Sequence, residues 1–173
     1  MARDFRESVD EDRLRRLHPG DADLPAVLLL IQGAFSYMDG RIDPPSSMHR
    51  LTLESLDDMA AEGEVWAVGS PVVACFVLTR RPDSLYLGKL AVAPLARGRG
   101  LARRLIELAD TRARELGLPC IELQTRVELV ENHATFAALG FHMVGESAHP
   151  GFDRSTSLTF RRAVSRQGSP VAP

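Results

Sequence analysis

Cysteine is scarce in this chain: Cys75 and Cys120 are the only two in 173 residues, 45 positions apart and in no C-x-x-C pair. That count and spacing exclude a disulfide framework and a thiolate metal site. Long apolar runs are missing as well. The longest, Leu24 to Ile31, contains Pro25 and falls far short of the about 20 residues that a membrane-spanning helix needs. The opening residues Met1-Ala2-Arg3-Asp4-Phe5-Arg6-Glu7 carry acids early and no apolar stretch, so export is not expected and a reducing cytoplasm is. A dominant charge is absent too. Lys plus Arg number 21 against 23 Asp plus Glu, a net charge of -2, which offers nucleic acid no general electrostatic footprint. What is present is an ordinary globular composition, 45% hydrophobic, 25% charged and 6% aromatic. A chain of this length buries about 70% of its unfolded surface without staples. One domain over 11–164 is expected, with flexible ends over 1–10 and 165–173.

Apolar spacing supplies the elements. A short strand over 13–17 opens the order; Leu24, Val27, Leu28, Ile31 and Phe35 then recur at helical spacing, with Asp21 or Asp23 as a cap. Gly40, Pro44 and Pro45 mark 38–50 as a loop. Thr52 then starts a helix with Leu53, Leu56, Met59 and Ala60 on its apolar face. Strands are expected over 64–68, 72–79 and 85–92, joined by turns short enough to force antiparallel pairing. A third helix over 100–116 turns Leu101, Leu105, Leu108, Ala109 and Leu116 inward and the pairs Arg103/Glu107 and Asp110/Arg114 outward. A strand over 120–125, a helix over 132–139 and strands over 141–146 and 157–162 complete the chain. Because a helix joins the strand at Leu85 to the strand at Cys120, those two should be parallel and their neighbours antiparallel. The expected class is α/β (α+β), a mixed, largely antiparallel sheet of about seven strands with helices on both faces.

Between the parallel pair runs Lys89-Leu90-Ala91-Val92-Ala93-Pro94-Leu95-Ala96-Arg97-Gly98-Arg99-Gly100-Leu101-Ala102, a strand entering a glycine-containing turn that opens the long helix. Amides at a helix start have no intrahelical partner and sit at the positive end of the macrodipole, and glycine removes the Cβ that would hold phosphate oxygens away. Arg97, Arg99, Arg103 and Arg104 add positive charge. The segment therefore reads as a phosphate site. A Walker loop needs Lys and then Ser or Thr after its last glycine, where Leu101-Ala102 stand. A dinucleotide fingerprint begun at Gly98 and Gly100 would have Arg103 in its third place and lacks a second β-α-β half, although Glu122 lies near the distance of a ribose-binding acid.

Arg97-x-x-Gly100-x-Ala102, after a strand ending in Leu90-x-Val92 and Pro94, resembles the coenzyme A loop of the GNAT superfamily of N-acetyltransferases, (Gln or Arg)-x-x-Gly-x-(Gly or Ala). The run from Asn132 through Phe136 to Gly140-Phe141 is similar to a second family segment, and the likeness covers about 11–164. The resemblance implies acetyl-coenzyme A as co-substrate, no metal, and direct attack by a primary amine of a small molecule, peptide or protein. Backbone groups of Leu90, Ala91 and Val92 would pair with the pantetheine arm, which requires the parallel strands to splay. The N–H groups of Arg97, Gly98, Arg99, Gly100, Leu101 and Ala102 would cradle the pyrophosphate, with Asn132 and Phe136 near the thioester. The polar loop bearing Tyr37, Arg41 and Asp43 would overlie and select the acceptor. A homodimer is the prior for assembly.

The chain departs from the family pattern in two places. Tyr86 occupies the place of a glutamate four residues before Leu-x-Val, and Phe136 stands where a tyrosine often acts as an acid. An alkyl ammonium of pKa about 10.4 costs roughly 4 to 5 kcal/mol to deprotonate at neutral pH, so some proton carrier is needed. Candidates are Tyr86, which two-residue alternation places on the same face as Gly88, Leu90 and Val92; Glu122 in the central strand; and His149 between the last two strands. Asn132 can equally cap its helix, and His133 reads as a surface residue. Two other classes of function compete: a coenzyme A-binding sensor or scaffold with little turnover, and a nucleic-acid module using the arginine cluster, against which the net charge speaks.

Overall fold

A computed structural model describes residues 12–165. Strand β1 (Leu14–Leu17) leads to helices α1 (Leu24–Phe35) and α2 (Leu53–Glu62), then to strands β2 (Glu64–Val68), β3 (Ala74–Arg80) and β4 (Leu85–Val92). Helix α3 (Leu101–Glu115), strand β5 (Cys120–Arg126), helix α4 (Val130–Ala138) and strands β6 (His142–Ser147) and β7 (Ser157–Ala163) follow. The seven strands form one sheet in the order β1-β2-β3-β4-β5-β7-β6. Every neighbouring pair is antiparallel except β4 and β5, which α3 connects. The mixed class and the single parallel pair are those the spacing predicts. Within the 38–50 loop the chain adds a short 3-10 turn, Ser47–Arg50.

Alternation along β3 explains the two cores. Phe76 and Leu78 pack towards α3 with Leu85, Leu105 and Ile121, whereas Cys75 and Val77 pack towards α1 and α2 with Val27, Ile31 and Leu56. A strand buried on both faces reads as an unbroken apolar run, which Ala74-Cys75-Phe76-Val77-Leu78 is. Across the first of these layers Glu64 on β2 accepts hydrogen bonds from Trp66 Nε1 at 2.8 Å and from Arg112 on α3 at 2.7 and 3.0 Å. Burial alone would raise the Glu64 pKa, but the Arg112 and Trp66 bonds outweigh it and hold the carboxyl below its usual range. No helix among the described residues is long and apolar enough to cross a membrane.

Three local expectations are corrected. Asp23 holds the N-cap position of α1, yet its side chain pairs with Arg15 and caps nothing. Leu53 is 42% exposed; it is the first residue of α2, ahead of the turn that carries Leu56 into the core, while Thr52 caps the helix by accepting from the Ser55 amide at 3.1 Å. Asp110 turns inward instead of outward. It is buried because Arg114 at 3.6 Å and the Ser165 amide at 3.1 Å partner it. Ser165, expected to begin a loose tail, is thus tied to α3; residues 1–11 and 166–173 lie outside the described residues.

Candidate active site

The site begins with one extra residue in β4. Ala91 pairs with Cys75 and Gly88 with Val77, so Lys89 and Leu90 together face the single residue Phe76, which is a β-bulge. Lys89 takes it up with φ of 55°, in the left-handed region. The extra residue resets the face of everything after it. Leu90 and Val92 join the layer under α3 with Leu85 and Leu87, and Ala91 joins the layer under α1. The simple alternation expected from sequence therefore fails here: Tyr86 shares its face with Gly88, over which its ring lies, but not with Leu90 or Val92.

The parallel strands part after Tyr86, ahead of the bulge. Only Leu85↔Ile121 and Tyr86↔Glu122 pair between β4 and β5, so the β4 edge from Gly88 onward has no strand partner. The gap is a cavity of about 1120 Å³ that runs through the sheet. Leu90, Ala91, Val92, Arg97 and Ala102 line it towards the start of α3, and Tyr37, Tyr86, Asn132, Phe136 and His149 also reach it. A second hollow of about 420 Å³ lies against the start of α3 and is bounded by Val92, Arg97, Gly98, Gly100, Leu101 and Arg103. Gly98 and Gly100 have φ of 78° and 74°, and a Cβ added at either would meet nothing within 4 Å. The turn needs glycine for its backbone conformation and leaves the first-turn amides of α3 open to an anion. The residues present fit a diphosphate. The arginine cluster divides, however. Arg99 and Arg104 turn away to Asp12, which leaves Arg97 and Arg103 as the side-chain charge at the hollow.

Other candidates occupy different places from those expected. Glu122 does not line the cavity: it is buried, one carboxylate oxygen bound by Arg81 and the other by Arg161 at 2.7 Å, so it is a paired structural acid held away from the cavity. Tyr86 lies under the Arg81 guanidinium, 3.8 Å from the ring centroid. Burial pushes its phenol above the usual range, with Glu122 adding and Arg81 opposing. His149 Nδ1 lies 2.5 Å from the Thr156 hydroxyl, which also accepts the His149 amide at 2.9 Å. Its pKa is lowered by burial and then by Arg126, with Glu128 opposing, which favours the neutral ring.

Helix α4 starts two residues earlier than expected, and Asn132 caps nothing; its Nδ2 donates to the Tyr37 hydroxyl at 3.1 Å. His133 is not a simple surface residue, since Nε2 bonds the Arg126 carbonyl at 2.9 Å. Phe136 packs edge-on to Phe141 at 6.1 Å. The loop over the cavity is fastened rather than free. Arg41 pairs with Glu131 at 2.6 Å, and Asp43 pairs with Arg154 at 3.3 Å while its amide donates to Glu128. Arg41 and Asp43 are therefore rim residues whose side chains hold the loop down, and Tyr37 alone of the three lines the interior. Sequence reasoning missed Lys89, Arg50, Gln124 and Arg126, all of which line the cavity. A lysine inside the otherwise uncharged strand Leu85–Val92 is the one signal that was available.

Residues 35–141 match the acetyltransferase (GNAT) family. An "IAA acetyltransferase" of Azospirillum brasilense is 30% identical over 118 residues, covering 67% of this chain and 76% of the relative. Among solved structures, the PaiA N-acetyltransferase of Thermoplasma acidophilum in complex with coenzyme A superposes with a TM-score of 0.72 at 10% identity, over 87% of this chain and 98% of that one. The ribosomal-protein-S18-alanine N-acetyltransferase of Escherichia coli gives 0.66 at 18% identity, over 93% and 99%. At such identities the structural likeness shows the fold.

Proposed function

The chain belongs to the acetyltransferase (GNAT) family, and from that premise we propose that it moves acetyl from acetyl-coenzyme A to a primary amine by direct attack in a ternary complex. The observation that carries this reading is the parting of β4 from β5 after Tyr86 beside an open glycine turn at the start of α3. The unpartnered edge at Leu90, Ala91 and Val92 suits an extended amide-bearing arm as an added strand. The amides from Arg97 to Ala102 suit a diphosphate, with Arg97 and Arg103 as counter-charge. In the cavity the amine nitrogen forms a bond to the acetyl carbon, the carbon–sulfur bond breaks, the nitrogen gives up one proton and the sulfur takes one up. A thiol with pKa about 8.5 is a tolerable leaving group, so Phe136 in place of a hydroxyl does not forbid the reaction. With Glu122 paired, His149 and Tyr86 are the two of the three candidate proton carriers that line the cavity, and positioning supplies the rest. The two cysteines are free thiols, and the cytoplasm is the proposed compartment.

The replacement at Phe136 favours one competing reading, a coenzyme A-binding sensor with little turnover. Thiol release over a panel of amines, combined with calorimetry using coenzyme A, separates the two. Turnover on any amine supports acetyl transfer; binding with no turnover supports the sensor. No uptake at millimolar coenzyme A overturns both.

A further inference from the structure

The cavity carries a charge that the molecule does not. The whole chain has a net charge of -2, yet the cavity lining holds four cations, Arg50, Lys89, Arg97 and Arg126, and no carboxylate. Arg97 belongs to the glycine turn. The other three lie elsewhere. Lys89 reaches the Ser47 hydroxyl at 3.3 Å in the 3-10 turn that also bears Arg50. Arg126 alternates along β5 with Ile121 and Leu123, which face α3, so it projects from the opposite face. These three cations therefore stand on the α1 side of the sheet, across it from the proposed phosphate hollow.

They are also short of partners. Burial and then the nearby Arg50 charge push the Lys89 ammonium below its ordinary pKa. The Arg126 side chain is 12% exposed; its Nε donates to the Thr156 carbonyl at 3.2 Å, and its buried Nη2 has no hydrogen-bond partner. Glu128 stands 4.0 Å from that Nε and is shared with Arg154. The remaining acids nearby do not line the cavity and are engaged: Asp39 by His49, which does line it, Asp43 by Arg154, Glu131 by Arg41, and Glu122 by Arg81 and Arg161. Clustered cations with a single shared carboxylate, Glu128, beside one of them are unfavourable in a half-buried site unless a further anion joins them.

We propose that the acceptor is an amine that carries a carboxylate, of the amino-acid class, anchored through that carboxylate by Lys89, Arg50 and Arg126. This rests on the acetyl-transfer reading. The same cations disfavour the ammonium form of the acceptor, which eases loss of the proton in a cavity lined by no carboxylate base. Phe35, Met38, Ile42 and Phe152 in the wall suit an apolar side chain on the acceptor.

The test uses the full chain and matched probes: the amino acids with apolar side chains, their carboxamides, and 1,4-diaminobutane. Binding is measured by calorimetry with coenzyme A present, where no turnover occurs, and acetylation is measured separately by thiol release. At least one amino acid should bind about tenfold or more tightly than its carboxamide. Lys89→Met and the exposed Arg50→Gln should each shrink that ratio with circular dichroism unchanged. Carboxamides or the diamine binding as well as the amino acids would overturn the carboxylate anchor, even if acetyl transfer is efficient. Carboxylate-selective binding without acetyl transfer to any amine keeps the anchor and sinks the acetyl-transfer reading.

Discussion

Replacing Gly100 with alanine isolates the backbone of the proposed phosphate turn. Gly100 has φ of 74° and open space where a Cβ would sit, so the substitution introduces no clash and acts through conformation alone. Holding an L-residue in the left-handed region costs about 1–2 kcal/mol. Alanine returns about 0.4–1 kcal/mol by restricting the unfolded chain, leaving a net penalty of at most about 1.6 kcal/mol and for most of that span about 0.5–1.5 kcal/mol. That penalty has two places to go. If the turn keeps its shape, Tm falls by about 1–6 °C for a domain of this size, and coenzyme A affinity is preserved. If the turn relaxes to negative φ, Tm is spared, the amides at the start of α3 are re-aimed, and Kd rises about two- to twelvefold for the same energy. Scanning fluorimetry and calorimetry on Gly100→Ala read both, with the fully exposed Leu95→Ala as a control expected to move neither. A Gly100→Ala protein with Tm within 1 °C and Kd within about twofold of the parent would refute the assignment of strain and of phosphate binding to this turn together.

Arg112→Met leaves the buried Glu64 carboxylate without its main partner and should destabilise the fold by about 3 kcal/mol, seen in urea unfolding at pH 7. The folded Glu64 pKa is depressed, so its contribution is present above the unfolded value near 4.5 and is lost as pH falls through the folded value; the variant should therefore lose less stability than the parent on acidification below that point. His149 has a pKa lowered from 6.5, which puts the acid limb of kcat/KM below pH 6.5 if its neutral ring carries the proton; His149→Gln should abolish that limb, and an unaltered profile would remove His149 from the chemistry. Burial pushes the Cys75 thiol up to about 12, so a thiol reagent should titrate at most Cys120 in the native protein and both cysteines in denaturant; fast reaction of two native thiols would contradict that burial.

The order of elements was readable because each apolar period had one answer: β3 as an unbroken run, α3 as a 3.6-residue stripe ended by Gly117. The glycine turn was equally legible, since its chemistry is local to Arg97–Ala102. What the pattern missed is long-range or irregular. Period-two reasoning put Tyr86 and Leu90 on one face because nothing in Gly88-Lys89-Leu90 announces a bulge except a charged residue in an apolar strand. The partners of Glu122 could not be named because Arg81 and Arg161, 41 and 39 residues away, close on it only in the folded sheet. Arg41 and Asp43 looked like acceptor contacts as polar loop residues, but their partners Glu131 and Arg154 lie in other segments that folding brings to the rim. A sequence shows which residues can ionise; it does not show which are already paired.

The bulge ties donor and acceptor sides to one residue. The extra residue turns Leu90 and Val92 under α3, where β4 has already parted from β5, and presents the Lys89 side chain to the turn at Ser47. Any residue could serve the first purpose, and glycine would serve it with least strain, since a lysine at φ of 55° gives up about 1–2 kcal/mol that glycine would not. Backbone strain concentrates where a side chain is used, and here the strained residue carries a half-buried positive charge with only a hydroxyl partner. A purely architectural bulge requires neither the charge nor the strain. Both are accounted for if an anionic group of the acceptor completes the site, because the attraction of that group to Lys89 and its two neighbouring cations offsets the backbone cost only when substrate is bound.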